Sequence, residues 1–273
     1  MLASFAWVCL LAAGGCSLFT DLDGLSTGTS ITLNDGGPGD LIDAQAFEAA
    51  IDADAGEPNV SACRSPHTFC TDFDVSTDPG FGFSDVSSGI GDSLTTSDTA
   101  AWSNPRAMLA QAGVTTQNAD HSAFVAKNLG GAQTSNLAFR MRVEADNFDT
   151  NPVTIATINV YSSTEGQRAL QVILDHGRIV LRVDVYDQEA GTISSSLTPS
   201  AAFVPGEAWH SYALAADFAL RHTTLTVDGA KLVTSSIPGS AMPDGISLFA
   251  GIWYARASKP WSLRFDDIAI DMK

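Results

Sequence analysis

Beyond residue 100 apolar and polar positions alternate with a period of two, and residues 209–233 show the rule well. Tyr212, Leu214, Ala216 and Phe218 fall on one side of an extended chain, and Leu225 with Val227 continues the pattern before Asp228 and Gly229 reverse its direction. This predicts a half-buried strand followed by a hairpin. In NLAFRMRVEA (136–145), Leu137, Phe139, Met141 and Val143 alternate with Ala138, Arg140, Arg142 and Glu144, so one face is apolar and the other wet. Leu170, Val172 and Leu174 repeat the pattern with Ile179, Leu181, Val183 and Val185 across a turn at Asp175, His176 and Gly177. Near the end Trp261, Leu263 and Phe265 share one phase and Ile268 with Ile270 the other, which predicts a bulge at Asp266 and Asp267. PRAMLAQA, SAFVAKNL, PVTIATINVY, TISSSL and ISLFAGIWY are further short runs without helical periodicity, many set apart by Gly, Pro, Asn or Asp. Ten or more such strands need two packed sheets, because one open sheet would leave an apolar face in water. The pattern predicts an all-β, two-sheet antiparallel β-sandwich or jelly roll over residues 61–273.

The first 60 residues read differently. Residues 1–15, MLASFAWVCLLAAGG, suit the apolar core of a secretory signal and are too short for a permanent bilayer span. Ala12, Ala13, Gly14 and Gly15 then lead into Cys16, an arrangement that resembles the bacterial lipoprotein signal. That resemblance implies a lipid on Cys16 and, with Ser17 next, sorting to the outer membrane. Residues 16–60 are rich in Asp, Gly, Ala, Ser and Thr; they bury too little apolar surface to offset the entropy of ordering and read as a solvated tether.

Charge follows the same division. Nine acidic residues and no Lys or Arg precede Arg64, within totals of 31 acidic and 14 basic residues. A chain this acidic is not built to wrap nucleic acid, which needs clustered cations. Within the β domain only Cys63 and Cys70 remain, in CRSPHTFC. Export to an oxidising compartment favours a disulfide between them. The alternative is a metal site using Cys63, His67 and Cys70, which lacks a fourth ligand and the usual two-residue cysteine spacing. Asp72, Asp74 and Asp78 mimic the start of a calcium loop, but Thr77 stands where Gly is required and no Glu closes it. No cofactor is expected; calcium has no specific motif behind it.

Three stretches carry a wider resemblance. A strand beginning at Trp209, a strand ending in Val227-Asp228-Gly229, and a closing Phe265-Asp266-Asp267-Ile268 resemble the concanavalin A-like lectin and glucanase (LamG-like jelly roll) superfamily. The opening Phe69-Cys70-Thr71-Asp72-Phe73-Asp74 is similar to the first strand of bacterial members attached to lipoprotein signals. The resemblance spans about residues 61–273. It implies two curved antiparallel sheets, with any ligand on the concave face or its rim.

Catalytic chemistry finds little footing. Glycosidases of this kind set two carboxylates toward one sugar, about 5 Å apart for retention. The nearest stretch, EADNFD, places Glu144 at a strand end, reads as a turn at Asp146 and Asn147, and has Asp149 where a Glu is expected. No G-x-S-x-G elbow accompanies the five histidines. A binding surface fits better: Arg140, Arg142, Arg182, Tyr161, Tyr186 and Trp253 all fall on predicted strands, where planar rings can stack on sugars and Arg can hydrogen-bond them. The competing reading pairs each Arg with Glu144, Asp184 or Asp266 across strands and sinks Trp261, in phase with Leu263 and Phe265, into the core. The expectation is a non-catalytic, envelope-anchored module, its partner a glycan or another envelope component. A polysaccharide-cleaving glycosidase and a structural surface lipoprotein are the alternatives.

Overall fold

The computed structural model describes residues 60–113, 120–130, 134–147, 151–187, 190–203, 208–255 and 260–273. The signal-like segment 1–15, Cys16 and nearly all of the tether 16–60 lie outside them. In chain order the strands among the described residues are β1 (Phe69–Thr71), β2 (Asp85–Ser88), β3 (Ser93–Ser97), β4 (Ala107–Ala112), β5 (His121–Leu129), β6 (Asn136–Asn147), β7 (Val153–Ser162) and β8 (Gly166–Asp175). They continue with β9 (Arg178–Asp187), β10 (Thr192–Ala202), β11 (Trp209–Asp217), β12 (His222–Val227), β13 (Ala230–Ser236), β14 (Gly245–Ala255) and β15 (Trp261–Met272). They form the two antiparallel sheets of a β-sandwich. One runs β13-β12-β11-β6-β15-β4-β3, with β1 also on β15; the other runs β10-β9-β8-β7-β14-β5-β2.

Period-two phasing decides what each strand buries. Leu137, Phe139, Met141 and Val143 of β6 meet Leu170, Val172, Ile179 and Leu181 of the facing sheet in one continuous core, which also holds Trp261, Tyr212 and Phe265. The predicted hairpin at Asp228 and Gly229 is present, both residues at positive φ (51° and 74°) as a tight two-residue reversal requires. The turn at His176 and Gly177 has the same two signs and joins β8 to β9.

The predicted bulge is also present, and it has a topological role. Along one flank β15 pairs with β4 over residues 261–265 and with β1 over residues 268–270. Asp266 and Asp267 occupy the hand-over between those partners, with Asp267 at φ 49°. β6 runs on to Asn147 because Ser262 of β15 continues the ladder there, so the expected turn at Asp146 and Asn147 is strand.

Candidate functional site

The outward face of the seven-stranded sheet can be built row by row from the pairing register. Side chains opposite one another in antiparallel strands share a face. One row reads Arg182 on β9, Gln171 on β8, Thr157 on β7, Phe249 on β14 and Ala126 on β5. The adjacent row reads Ser195 on β10, Asp184, Ala169, Asn159 and Ser247. Tyr186, Gln167 and Tyr161 form the row at one end, and Thr154 with Trp253 belongs to the other. The face is therefore polar across β9, β8 and β7 and aromatic across β14 and β5.

The aromatic half is a packed trio. Phe124 and Trp253 have ring centroids 4.2 Å apart, Phe249 and Trp253 5.0 Å, and Phe124 and Phe249 5.6 Å, all tilted or edge-on. Gly251 makes this approach possible. It lies opposite Phe124 at φ +134°, and a Cβ there would meet Ala123 O at 2.3 Å and Phe124 Cα at 2.6 Å. The β14 registers against β5 and β7 both shift nearby, which sets the angle at which Trp253 is presented.

The polar half is a network centred on Asp184. Arg182 donates through Nε to Asp184 Oδ1 at 2.7 Å and through Nη2 to Ser195 Oγ at 3.1 Å. Gln171 donates through Nε2 to Asp184 Oδ2 at 3.1 Å. Gln171 is only 4% exposed and Asp184 6%, low values for an outward face, so the network is recessed among its neighbours. Tyr161, 41% exposed, has its hydroxyl 3.4 Å from Ser247 Oγ.

Of the six residues predicted to bind ligand, Arg182, Tyr161, Tyr186 and Trp253 share this face. Arg140 and Arg142 lie on the outward face of the other sheet, opposite Ala213 and Ser211 of β11. The sequence reading did not separate the two groups, and it missed Phe124, Phe249, Gln171, Asn159 and Thr157. Phe124 and Phe249 carried a usable signal: each stands out of phase with the apolar residues flanking it.

The eight-stranded sheet uses its outward charges internally. Arg142 stacks over the Trp102 ring at 4.1 Å and reaches Asp267 Oδ2 at 3.5 Å; Arg264 donates to Glu144 at 2.8 Å; Arg140 lies 3.6 Å from Asp271. Asp266 accepts the backbone N–H groups of Trp102, Ser103 and Asp267, and Asp267 accepts that of Ala62, so the two carboxylates fill the gap between β4 and β1. Burial first, then the Asp267 charge, pushes the Asp266 carboxyl up to about 8 despite those donors. Asp267 is raised as well, chiefly by burial.

Cys63 and Cys70 form a disulfide. His67 instead bonds Asp271 through Nδ1 at 2.9 Å. Asp72 accepts from Ser61, Asp74 from the Arg106 N–H, and Asp78 from the Gly80 N–H. Among the described residues no group of three His, Cys, Asp or Glu is placed to hold a metal ion. Asp149 of EADNFD lies outside the described residues.

No sequence family and no curated protein matches the chain. Solved structures do match its fold. An endo-β-1,4-glucuronan lyase from the fungus Trichoderma reesei superimposes with a TM-score of 0.62 at 13% identity, covering 76% of this chain and 96% of that one. The cellulose-induced protein Cip1 gives 0.52 at 16% identity, covering 74% and 96%. A carbohydrate esterase from the Shiga toxin-encoding bacteriophage phi24B gives 0.50 at 13% identity, covering 76% and 99%. At these identities the likeness is one of fold alone, a two-sheet antiparallel β-sandwich.

Proposed function

We propose that residues 61–273 form a glycan-binding module that uses the outward face of the seven-stranded sheet without cleaving its ligand. One observation carries this reading: an aromatic trio and a fixed hydrogen-bonding network stand side by side on a single face. Sugars present apolar C–H faces and hydroxyl edges, so a site for them needs rings to stack on and directional polar partners beside the rings. The neighbours in fold, named for a glucuronan lyase, a cellulose-induced protein and a carbohydrate esterase, support a carbohydrate-related role. Against glycosidase chemistry, the one acidic side chain in the network, Asp184, already has both oxygens engaged, by Arg182 and Gln171.

A second reading, bond cleavage, draws on Tyr161: a half-exposed phenol on the same face as Arg182 is a type of group that can move a proton. A glycan array on the full chain, run beside assays for new reducing ends and for ultraviolet-absorbing unsaturated products, tests both. Array binding with neither product form supports the module; release of either product replaces it with an enzyme.

The proposal extends to location. A lipid on Cys16 and an acidic tether over residues 16–60 would hold the domain off the bacterial outer membrane. Incorporation of labelled palmitate that Cys16→Ala abolishes is the expected result; unchanged incorporation rejects the anchor.

A further inference from the structure

We infer that the ligand of this face is an uncharged polysaccharide lying across the strands, with Gln171, oriented by Asp184, accepting a hydrogen bond from one of its hydroxyls. The inference rests on the binding reading above and adds the class of glycan and the residue that selects it.

The first ground is charge. Among the described strand residues pointing outward from the seven-stranded sheet, the cations are Arg178 and Arg182, against the anions Asp85, Asp175 and Asp184. Arg182 is closed on Asp184 at 2.7 Å, so an arriving carboxylate or sulfate meets a compensated guanidinium with a negative charge beside it. The formal net charge of the whole chain, −17, adds a repulsive field. A polyuronide or sulfated chain calls for an excess of cations, and this face has none.

The second ground is the direction of one amide. A carboxylate only accepts, so the 3.1 Å contact between Gln171 and Asp184 must be made by the amide N–H group, which turns Gln171 Oε1 away from Asp184. Gln171 lies in the row that continues through Thr157 to Phe249, one strand in from the border of the polar and aromatic halves. Thr157 Oγ1, at the same border, is buried and has no hydrogen-bond partner. Hydroxyls of a chain that runs from the trio across Thr157 can donate to Gln171 Oε1; a carboxylate set against that oxygen, having no proton, cannot.

The third ground is extent. From β9 to β5 the face spans five neighbouring strands, four spacings of about 4.8 Å or roughly 19 Å in all. That accommodates a run of sugar rings, with the trio holding one end and the Asp184 network the other.

Affinity electrophoresis of the full chain in native gels cast with hydroxyethyl cellulose, galactomannan, polygalacturonate or alginate tests this. Retardation by at least one of the neutral polymers and by neither polyanion, lost in Trp253→Ala, is expected. Asp184→Asn frees the Gln171 amide to flip and takes one negative charge from beside Arg182. It should weaken the neutral interaction about tenfold or more. Retardation by a polyanion alone, abolished by Trp253→Ala, overturns the neutral-chain assignment and leaves the binding face standing. No retardation by any polymer, or retardation that Trp253→Ala leaves intact, overturns the binding face and this inference with it. If Asp184→Asn does not fold, salt decides: retardation of the native protein should persist in about 1 M NaCl, where screening acts within about 3 Å, and its collapse there rejects an uncharged ligand.

Discussion

The two outward faces of this sandwich draw on the same residue types and dispose of them differently. On the eight-stranded sheet Arg142 covers the Trp102 ring and faces Asp267, Arg264 bonds Glu144, and Asp266 and Asp267 are buried against backbone N–H groups. Cation, ring and carboxylate there close on one another and fasten the N-terminal segment to β15. On the seven-stranded sheet Arg182 and Gln171 also converge on a carboxylate, and the rings beside them pack tilted or edge-on against one another. Outward-facing Arg and Trp on strands therefore do not mark a ligand surface by themselves. On the bracing face Arg142 lies over a ring, whereas on the other Arg182 closes on Asp184.

The largest expected effect falls on the bracing face. Asp266 titrates near 3.8 in the unfolded chain and about 8 in the folded one. Between those values the folded protein holds a proton that the unfolded chain has released, so stability falls as pH rises, by about 1.4 kcal/mol per pH unit, and levels off above about 8. Across the whole window this is on the order of 5 kcal/mol. Asp266→Asn should remove most of the slope and leave a smaller one of the same sign from Asp267. Urea unfolding at a series of pH values between 4 and 9 reads it; an unchanged slope would show that Asp266 is ionised in the fold.

Next comes the proposed binding face. Gly251→Ala sets a Cβ against Ala123 O and Phe124 Cα at a φ that side chains avoid, and should destabilise by about 3 kcal/mol while displacing Trp253. Loss of stability with glycan retardation intact would separate Gly251 from the trio. Replacing Cys63 and Cys70 together with Ser opens the short loop that fixes the N-terminal segment beside β1 and should cost about 2 kcal/mol. Retardation of the folded fraction is expected to be unchanged, since that segment belongs to the other sheet.

These contrasts show what period two can and cannot convey. Alternation alone identified the buried faces of β6, β8 and β9, the core position of Trp261 and the bulge at Asp266, because each depends on residues one or two apart. Sheet membership was beyond its reach. β6 lies between β11 and β15, and β14 between β5 and β7, pairings that join residues far apart in sequence. Without them Arg142 and Arg182, each the polar member of an alternating strand, look alike. The Gln171 contact was hidden for the same reason: its meaning comes from Asp184 on the next strand, and glutamine on a strand carries no signal alone.

The smallest effect gives the finest division between the faces. Arg264 Nη1 donates to Glu144 Oε2 at 2.8 Å, both side chains being mostly but not wholly shielded, at 15% and 12% exposure. A pair in that setting is worth about 1 kcal/mol, less than a fully buried one because water still screens it. A double-mutant cycle on Arg264→Met and Glu144→Gln should return a coupling of that size in stability and none in glycan retardation. The single variants should each lose more than the double, since each removes one charge of the pair and keeps the other. Coupling that also appeared in retardation would mean that the bracing sheet reaches the ligand, and the separation of the two faces would fail at the strand pair that joins β6 to β15.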